Sequence, residues 1–400
     1  MAPSVAETVV PVVVETPKQK VAPEKAPEAT NGGAVGSSPI PDALDGLAEL
    51  RTGHREPLKL SGALEQFKYF ETTPVIGREF VDVDLAEWLR APNSDELLRD
   101  LAITISRRGV VFFRKQDNIT NDLQKELVQR LGQLSGKPAT SGLHIHPVIN
   151  AGRDRGGRDN EISVISSVQN RKLYSKFRQQ QGAYNKPQTR RLEWHSDITF
   201  EPVPSDYALL RLTELPSTGG DTLWASGYEV YDRLSRPVQK FLEELTAYCA
   251  QPAFNESAAH NGFAIYAEAR GAPENVGEAL EARHPVIRTN PVTGWRSVFA
   301  VGNHVKRIEG LTDDESRRFL DWFVNLVVEN HDLQVRHRWQ NPNDLAIWDN
   351  RSVYHAATPD YQDAFGEREG SRAVSLGERP YFDPRSTGRK EALGKEGAVL

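Results

Sequence analysis

The sequence predicts a mainly β fold with helices, of the α+β class. Runs rich in β-branched and aromatic residues recur along the chain, and stretches with the apolar spacing of amphipathic helices separate them. No internal repeat is present. We therefore expect a β-sandwich or barrel with a helical cover, built as one domain. The clearest strand-like runs are VVFFR (110–114), YALLRLTEL (207–215), DTLWAS (221–226), LAIWDNRSVYHAATPDY (345–361) and SRAVSLGERPYF (371–382).

The domain boundaries follow from composition. Residues 1–66 contain no aromatic residue, and seven of the 25 prolines lie in the first 50 positions. Such a segment buries too little apolar area to offset the entropy of ordering it, so a disordered tail is expected. The aromatic run FKYF, starting at Phe67, marks the entry into a folded domain over residues 67–385. Residues 386–400 are expected to form a flexible C-terminal tail.

Four helices are predicted inside this domain. The segment DELLRDLAITISRRG (95–109) has amphipathic spacing and precedes the strand VVFFR. Further helices are expected around 121–134, 228–248 and 312–330. The last of these begins with Thr312 and Glu315, which have the spacing of a capping box.

Charge and cysteine content exclude several classes of protein. The chain has 400 residues, 49 of them basic and 55 acidic, for a formal net charge of −6. This mildly acidic balance argues against a protein that mainly binds nucleic acid or an anionic membrane. The single cysteine, Cys249, excludes an internal disulfide and a cysteine-based zinc cluster. No run approaches the roughly 18 apolar residues of a membrane span, and no targeting signal is recognisable, so a cytoplasmic protein is expected.

The run EWHSDITF (193–200) carries the first candidate metal ligands. Strand alternation places His195 and Asp197 on the same face of an extended segment. Iron(II) oxygenases bind their metal with two histidines and one carboxylate, and they leave the opposite face open. His355, in SVYHAA, is the candidate for the third ligand if its strand faces the first. A His-x-Asp pair alone is weak evidence, and the alternative is a histidine hydrogen-bonded within a sheet.

The run ELPSTGGDTLWAS (214–226) closely resembles the one that follows the His-x-Asp pair in taurine dioxygenase-like enzymes. These are iron(II)- and 2-oxoglutarate-dependent dioxygenases, and the resemblance is to the fungal type of sulfonate dioxygenase. It implies a double-stranded β-helix, or jelly roll, with helical cover, and it implies iron(II), 2-oxoglutarate and O2 as cofactor and cosubstrates. The resemblance extends in order over LHIHPV (143–148), WHSDITF (194–200), HPVIRTNPVTG (284–294), RWQNPNDLAIWDNR (338–351) and RAVSLGERPYF (372–382).

By this resemblance His195, Asp197 and His355 bind the iron. Thr222, in GGDT, corresponds to the residue that hydrogen-bonds the distal carboxylate of 2-oxoglutarate. Without the flanking motif, the alternative for Thr222 is a β-branched residue that merely favours a strand.

Two arginines are implied as anion ligands. Arg368 corresponds to the partner of 2-oxoglutarate and Arg372 to the partner of the substrate's anion, since the planar guanidinium suits carboxylates and sulfonates. The stretch GEREGSR (366–372) is more polar than the family's strand, so the division of roles between the two arginines stays open. The alternative is two solvated arginines beside Glu367 and Glu369.

Further residues are implied to line the substrate pocket. His146 corresponds to the residue that hydrogen-bonds the sulfonate in taurine-type enzymes, and a protonated imidazole near Arg372 would favour a strong anion. The alternative is a histidine that fixes the turn before Pro147. We expect Phe200 to form a wall of the pocket and the backbone N–H of Ile198 to reach an anionic oxygen.

Two departures from bacterial taurine enzymes concern the substrate. The segment between His146 and His195 is longer than in those enzymes and carries the run 171–191, which has seven basic and no acidic residues. This run is either a lid that attracts an anion or a solvated loop. Ile149 replaces an aromatic residue and Arg191 replaces an asparagine. Because the ammonium of taurine would need polar or aromatic neighbours, these changes favour a substrate whose anion dominates.

The function implied is hydroxylation of the carbon next to a sulfonate, which releases sulfite and an aldehyde. One alternative is the same oxygenase acting on an alkyl sulfate, an aryloxyalkanoate or an amino acid. Another is a non-catalytic jelly roll that binds a ligand, although no metal ligand or anion arginine is missing. A nucleic-acid-bound oxygenase is disfavoured by the acidity. We thus expect a small anionic substrate, neither nucleic acid nor membrane as partner, and an open number of subunits, a homo-oligomer included.

Overall fold

The computed structural model describes residues 54–150, 159–180, 189–361 and 365–396. Elements are numbered in chain order within this part. The strands are β1 (Tyr69–Glu71), β2 (Arg78–Phe80), β3 (Val110–Phe113), β4 (Ile162–Ser166), β5 (Ser205–Glu214), β6 (Thr222–Ser226), β7 (Thr246–Ala250), β8 (Glu281–Pro285), β9 (Ile287–Thr289), β10 (Arg296–Val298), β11 (Val305–Ile308), β12 (Gln334–His337), β13 (Asp344–Asp349), β14 (Val353–Ala357) and β15 (Glu369–Leu376). The helices are α1 (Leu85–Arg90), α2 (Ser94–Arg108), α3 (Asn121–Leu134), α4 (Ser167–Gln180), α5 (Gly227–Asp232), α6 (Arg236–Leu242), α7 (Pro252–His260), α8 (Asp313–Val328) and α9 (Arg389–Glu396).

Two sheets face each other across a shared apolar interior. The large sheet has seven strands in the order β1-β2-β3-β13-β5-β15-β4, and the small sheet has three in the order β12-β6-β14. Trp224 of the small sheet contacts Phe112 and Trp348 of the large sheet, with ring centroids 5.5 and 5.7 Å apart. Inward side chains of both sheets therefore meet in one interior. The predicted mixture of sheets and helices is confirmed.

The large sheet is covered on its outer face by α1, α2 and α3. Along β3, Val111 and Phe113 face these helices while Val110 and Phe112 face the small sheet. Because both faces are buried, the strand is apolar at every position instead of alternating. Phe113 packs against Trp88 of α1, with ring centroids 6.0 Å apart.

The small sheet is covered on its outer face by α8. Ala225 and Tyr354 of the sheet share an apolar cluster with Phe323 of this helix. The predicted capping box is confirmed, since the Thr312 side chain accepts from the Glu315 N–H and the Glu315 carboxylate accepts from the Thr312 N–H. In the described segments, no helix is both long and apolar enough to cross a membrane.

The predicted helices over 95–109, 121–134 and 312–330 are confirmed as α2, α3 and α8. The single helix predicted near 228–248 is wrong. It is divided into α5 and α6, with Pro237 in the first turn of α6, where its fixed φ and missing N–H are tolerated. The chain then enters β7, the central strand of a three-stranded sheet that has β11 on one side and β8 on the other.

The segment 54–66, predicted as part of the tail, packs on the fold. The side chain of Leu64 is buried in the apolar cluster beneath α1–α3. The carboxylate of Asp100 in α2 accepts hydrogen bonds from the backbone N–H groups of residues 61–63 at 2.9 to 3.1 Å. The boundary at residue 66 is therefore wrong, because backbone donors bound to one carboxylate order a segment without any aromatic residue. Residues 1–53 lie outside the described part of the chain.

The predicted C-terminal tail over 386–400 also begins too early. Helix α9 lies within this range, and its Leu393 packs against Tyr228 and Trp295. The expected flexible tail is thus wrong up to the end of α9. Residues 397–400 fall outside the described residues.

Replacing Asp100 with alanine should detach the segment 54–66. The buried carboxylate serves several donors at once, and a hydrogen bond to a charged group contributes about 1.5–3 kcal/mol. We expect the free energy of unfolding to fall by about 3–6 kcal/mol in urea titrations, on the scale of losing two such bonds. Asp313→Ala, at an exposed aspartate, is the matched control and should change stability by less than about 1 kcal/mol. An unchanged urea midpoint for Asp100→Ala would contradict this role.

Candidate active site

The backbones of His195 and His355 are joined directly. The His195 N–H donates to the His355 carbonyl at 3.1 Å, and the His355 N–H donates to the His195 carbonyl at 2.8 Å. This antiparallel bridge places two imidazoles 160 positions apart in sequence with ring centroids at 4.4 Å. Gly302 pairs with His195 from the other side, at φ 108°. A Cβ at Gly302 would lie 2.8 Å from the His195 Cα, so the glycine permits this close approach.

Asp197 reaches the two imidazoles through a turn. The extended conformation ends at His195, and residues 197–200 form a turn in which Ile198 has φ 63°. The continuous extended segment predicted here is therefore wrong. A β-branched residue in the left-handed region is strained, as is typical of functional sites. The turn is held by Asn350, whose side-chain oxygen accepts from the Asp197 N–H at 3.1 Å.

The three side chains form a compact donor set. Their candidate ligand atoms all lie within 4.8 Å of one another. The Asp197 Oδ1 atom is 3.9 Å from His195 Nε2, and Oδ2 is 3.8 Å from His355 Nε2. The structure thus brings together the residues that the sequence selected, with donors of the two-histidine, one-carboxylate type that suits iron(II).

The protonation states also suit a metal. His195 Nδ1 lies 2.8 Å from the Glu193 carbonyl, which can only accept, so in the neutral ring Nδ1 carries the proton and Nε2 has the lone pair that a metal ligand needs. Burial lowers the pKa of His355 to about 3, so this imidazole is neutral at pH 7. Asp197 Oδ2 is buried and has no hydrogen-bond partner among the described residues. A divalent cation would satisfy this oxygen, and the residues present therefore fit an iron(II) site.

Arg372 supplies the charge that keeps Asp197 ionised. Burial pushes the pKa of Asp197 upward, but Arg372 and then His355 and His195 outweigh burial and hold the pKa well below its usual range. Arg372 Nη1 donates to Asp197 Oδ1 at 2.8 Å, while Arg372 Nε is buried without a partner in the described part of the chain. One carboxylate oxygen is thus bound to the arginine and the other is left for a metal.

Arg368 and Thr222 form a second polar group in the same interior. Arg368 is 5% exposed, its Nη2 lies 3.3 Å from Thr222 Oγ1, and its Nε donates to the Gly220 carbonyl at 3.0 Å. Trp339, which sequence analysis did not single out, donates from Nε1 to the same Thr222 oxygen at 3.1 Å. Burial lowers the pKa of Arg368 to about 10, so it stays charged at pH 7. The alternative of two solvated arginines is wrong, since Arg368 is buried and Arg372 is enclosed apart from 13% of its side chain.

The hydrogen bonds of His146 indicate a neutral ring and not the protonated imidazole that we expected from the sequence. The backbone N–H groups of Val148 and Ile149 both donate to His146 Nδ1, at 3.0 and 2.9 Å. Nδ1 therefore acts as an acceptor, and a neutral ring with its proton on Nε2 replaces the predicted imidazolium. The side chain holds the backbone of residues 148 and 149, which follow Pro147, whereas the alternative placed its turn before Pro147.

An arc of rings forms a wall beside these residues. The centroid of Phe200 lies 5.1 Å from that of His304 and 5.5 Å from that of Phe254. The arc continues from His304 to His195 at 5.8 Å and from Phe254 to His146 at 4.9 Å. Phe200 lies at the centre of this arc, and its role as a wall of the substrate pocket stays a prediction. His304 and Phe254 were missed because no local motif marks them.

The basic segment 171–191 lies only partly in the described chain. Its first part belongs to α4, where Arg171 pairs with Glu367, and residues 181–188 are outside the described residues. Arg191 pairs with Asp321 of α8 at 2.9 Å. The predicted lid is therefore untested.

Comparison with known proteins identifies relatives of this chain. The family model described as "Taurine catabolism dioxygenase TauD, TfdA family" matches residues 68–374. The alpha-ketoglutarate-dependent dioxygenase btcD of Neocamarosporium betae is 54% identical over 84% of this chain and 98% of its own length. The alpha-ketoglutarate-dependent sulfonate dioxygenase of Saccharomyces cerevisiae is 30% identical over 80% of this chain and 69% of its own length. The crystal structure of a taurine dioxygenase from Burkholderia xenovorans has a TM-score of 0.58 at 24% identity, covering 80% of this chain and 92% of that one, which is a likeness of fold.

Replacing Asp197 with asparagine should abolish tight metal binding. Asparagine keeps the shape of the side chain but removes the charge that a divalent cation requires. Losing even an outer partner of a metal ligand weakens binding by about 10- to 100-fold, so we expect more than a 100-fold loss of iron(II) affinity in anaerobic calorimetry. Glu193→Gln is the matched control, because only its backbone carbonyl contacts His195. Iron(II) binding by Asp197→Asn at wild-type affinity would rule out this carboxylate as a ligand.

Proposed function

Because the chain belongs to the taurine catabolism dioxygenase TauD, TfdA family and is an iron(II)- and 2-oxoglutarate-dependent dioxygenase, we propose that it oxidises a sulfonate. His195, Asp197 and His355 would hold the iron. We further propose that the two facing sheets form the double-stranded β-helix that the sequence resemblance implies. The likeness of fold to a solved taurine dioxygenase supports this architecture.

Thr222 and Arg368 are proposed to bind the distal carboxylate of 2-oxoglutarate. Trp224 is paired with His355 across β6 and β14, so Thr222 lies two residues, roughly 7 Å, further along the strand. This separation suits a cosubstrate whose keto acid reaches the metal while its other carboxylate lies several bonds away. The fork of Arg368 faces Thr222, and the two groups can share one carboxylate.

The substrate's anion is proposed to bind at Arg372, with the His146 Nε2–H and the Ile198 N–H as further donors. The observation that carries the proposal is the position of Arg372. Its guanidinium contacts the Asp197 carboxylate, yet its Nε–H is buried without a partner among the described side chains. A buried donor of this kind binds an anion at the edge of the metal site, which suits hydroxylation of a carbon close to the anionic group.

Iron(II), 2-oxoglutarate and O2 together supply the oxidative decarboxylation of 2-oxoglutarate to succinate and CO2 and the hydroxylation of a substrate carbon. The protein's own residues orient the substrate. The anion donors would fix the adjacent C–H bond toward the metal ligands, and the ring arc from His304 to His146 would exclude water. A carbon that carries both a hydroxyl and a sulfonate expels sulfite and becomes an aldehyde.

A substrate panel tests this function. The purified enzyme is supplied anaerobically with iron(II), 2-oxoglutarate and one candidate, and succinate and sulfite are measured after oxygen is admitted. We expect sulfite and succinate in equal amounts with at least one alkanesulfonate. Succinate with sulfate from an alkyl sulfate, or succinate with an aryloxyalkanoate or amino acid only, would contradict the sulfonate assignment and leave the dioxygenase intact.

Replacing Arg368 with alanine should raise the requirement for 2-oxoglutarate. Removing the partner of a buried anion costs about 2–5 kcal/mol, which corresponds to roughly 30- to several-thousand-fold in affinity. The KM for 2-oxoglutarate should increase by this factor, while Arg368→Lys should recover part of the loss by keeping the charge without the planar fork. Arg379→Ala, at an exposed arginine, is the control. Wild-type kinetics for 2-oxoglutarate in Arg368→Ala would refute the assignment.

A further inference from the structure

His144 is a buried histidine that the proposed reaction does not yet use. It is 1% exposed, and neither ring nitrogen has a hydrogen-bond partner among the described residues. An unsatisfied buried polar group is unfavourable by about 1–3 kcal/mol, so such groups in folded proteins normally have a partner. Both ring nitrogens are therefore available to a bound molecule.

The backbone places His144 in the interior beside the anion arginine. Its N–H donates to the Val374 carbonyl of β15 at 2.8 Å. Arg372 lies two residues before Val374 and thus on the same face of that strand, the face that points into the interior. His146 follows two residues after His144, and the two rings have centroids 6.1 Å apart. Arg372 and His144 are neighbours, and both carry a buried nitrogen without a partner.

The surroundings of His144 keep its ring neutral. Burial lowers the pKa of His144 well below 6.5, and the nearby His146, Arg372 and Arg270 lower it further, against a weaker opposite effect of Asp197. The charge of Arg270 is already balanced by an ion pair, because its guanidinium contacts both carboxylate oxygens of Glu201. A neutral imidazole in this position offers one N–H donor and no charge.

We infer that His144 is a substrate-binding residue that donates to a third oxygen of the anion held by Arg372 and His146. The inference rests on the proposed sulfonate function and names the feature of the anion that the site selects. A carboxylate is planar and has two oxygens, whereas a sulfonate presents three oxygens in different directions. Arg372 on β15, His144 and His146 on the segment 143–148, and the Ile198 N–H would approach the anion from several directions. This arrangement suits three oxygens that point apart better than the two coplanar oxygens of a carboxylate.

The test compares two anions that share an alkyl chain. Pentanesulfonate and hexanoate are titrated anaerobically into the enzyme loaded with iron(II) and 2-oxoglutarate. We expect the wild type to prefer pentanesulfonate. His144→Leu should lower the affinity for pentanesulfonate by about 10- to 100-fold, which is the size of one hydrogen bond to a charged group. The affinity for hexanoate should fall by less than about threefold. His144→Gln, which keeps an N–H donor, should restore most of the affinity for pentanesulfonate.

The controls separate the two proposals. His331→Leu, at an exposed histidine, should change neither affinity. Equal losses for both anions in His144→Leu, or no loss, would overturn the role of His144 while leaving the sulfonate function in place. Failure of the wild type to bind any sulfonate would overturn both. If His144→Leu does not fold, the contact is tested on the wild-type protein by NMR, and His144→Gln serves to assign the His144 signal.

Nitrogen-15 NMR of the histidine rings reports on the same contact without a destabilising variant. The protein is labelled at histidine and loaded with zinc(II) in place of iron, and the His144 signal is assigned by its absence from His144→Gln. We expect the ring N–H signal of His144 to shift and to exchange more slowly with water when pentanesulfonate binds, but not when hexanoate binds. A signal unchanged at saturating pentanesulfonate would contradict the contact.

Discussion

The reciprocal backbone hydrogen bonds between His195 and His355 determine where everything else in this interior lies. They join the segment before the turn at Asp197 to the central part of β14, so two imidazoles come together without any side chain having to span a gap. Side chains that meet through paired backbones lose little further freedom when they bind a ligand, because the sheet has already ordered them. The proposed iron site is in this sense a property of strand pairing.

The two carboxylate oxygens of Asp197 differ in their partners. One oxygen contacts Arg372 and the other has no partner in the described chain, so the carboxylate can stay ionised in a buried setting before any cation arrives. In the proposed function, a single aspartate thus contacts both the metal and the proposed anion donor Arg372.

Much of the site could be predicted because its residues lie in runs with distinctive local patterns. The His-x-Asp pair, the GGDT turn before Thr222 and the two arginines four residues apart all belong to such runs, and the structure brings them together. The turn at Ile198 could not be predicted, since a β-branched residue normally favours the extended conformation and only tertiary contacts impose φ 63°. Trp339 and His304 were missed for a related reason. Each contributes through a neighbour that is distant in sequence, and no local pattern encodes such a contact. Composition alone did not predict that the segment 54–66 is ordered. The segment lacks aromatic residues, but one carboxylate on α2 binds its backbone N–H groups.

Gly302 constrains the proposed iron centre without contributing a ligand to it. A Cβ there would lie 2.6 Å from the Trp194 carbonyl oxygen and 2.8 Å from the His195 Cα, and both of those atoms belong to the backbone, which cannot rotate away. Consider a duplicated gene copy that keeps all three proposed ligands but has a bulkier residue at this position. It would look intact in a search for ligand motifs, and we expect its protein to have lost metal binding. The absence of a side chain at position 302 is therefore as informative about a working enzyme as the presence of the ligands themselves.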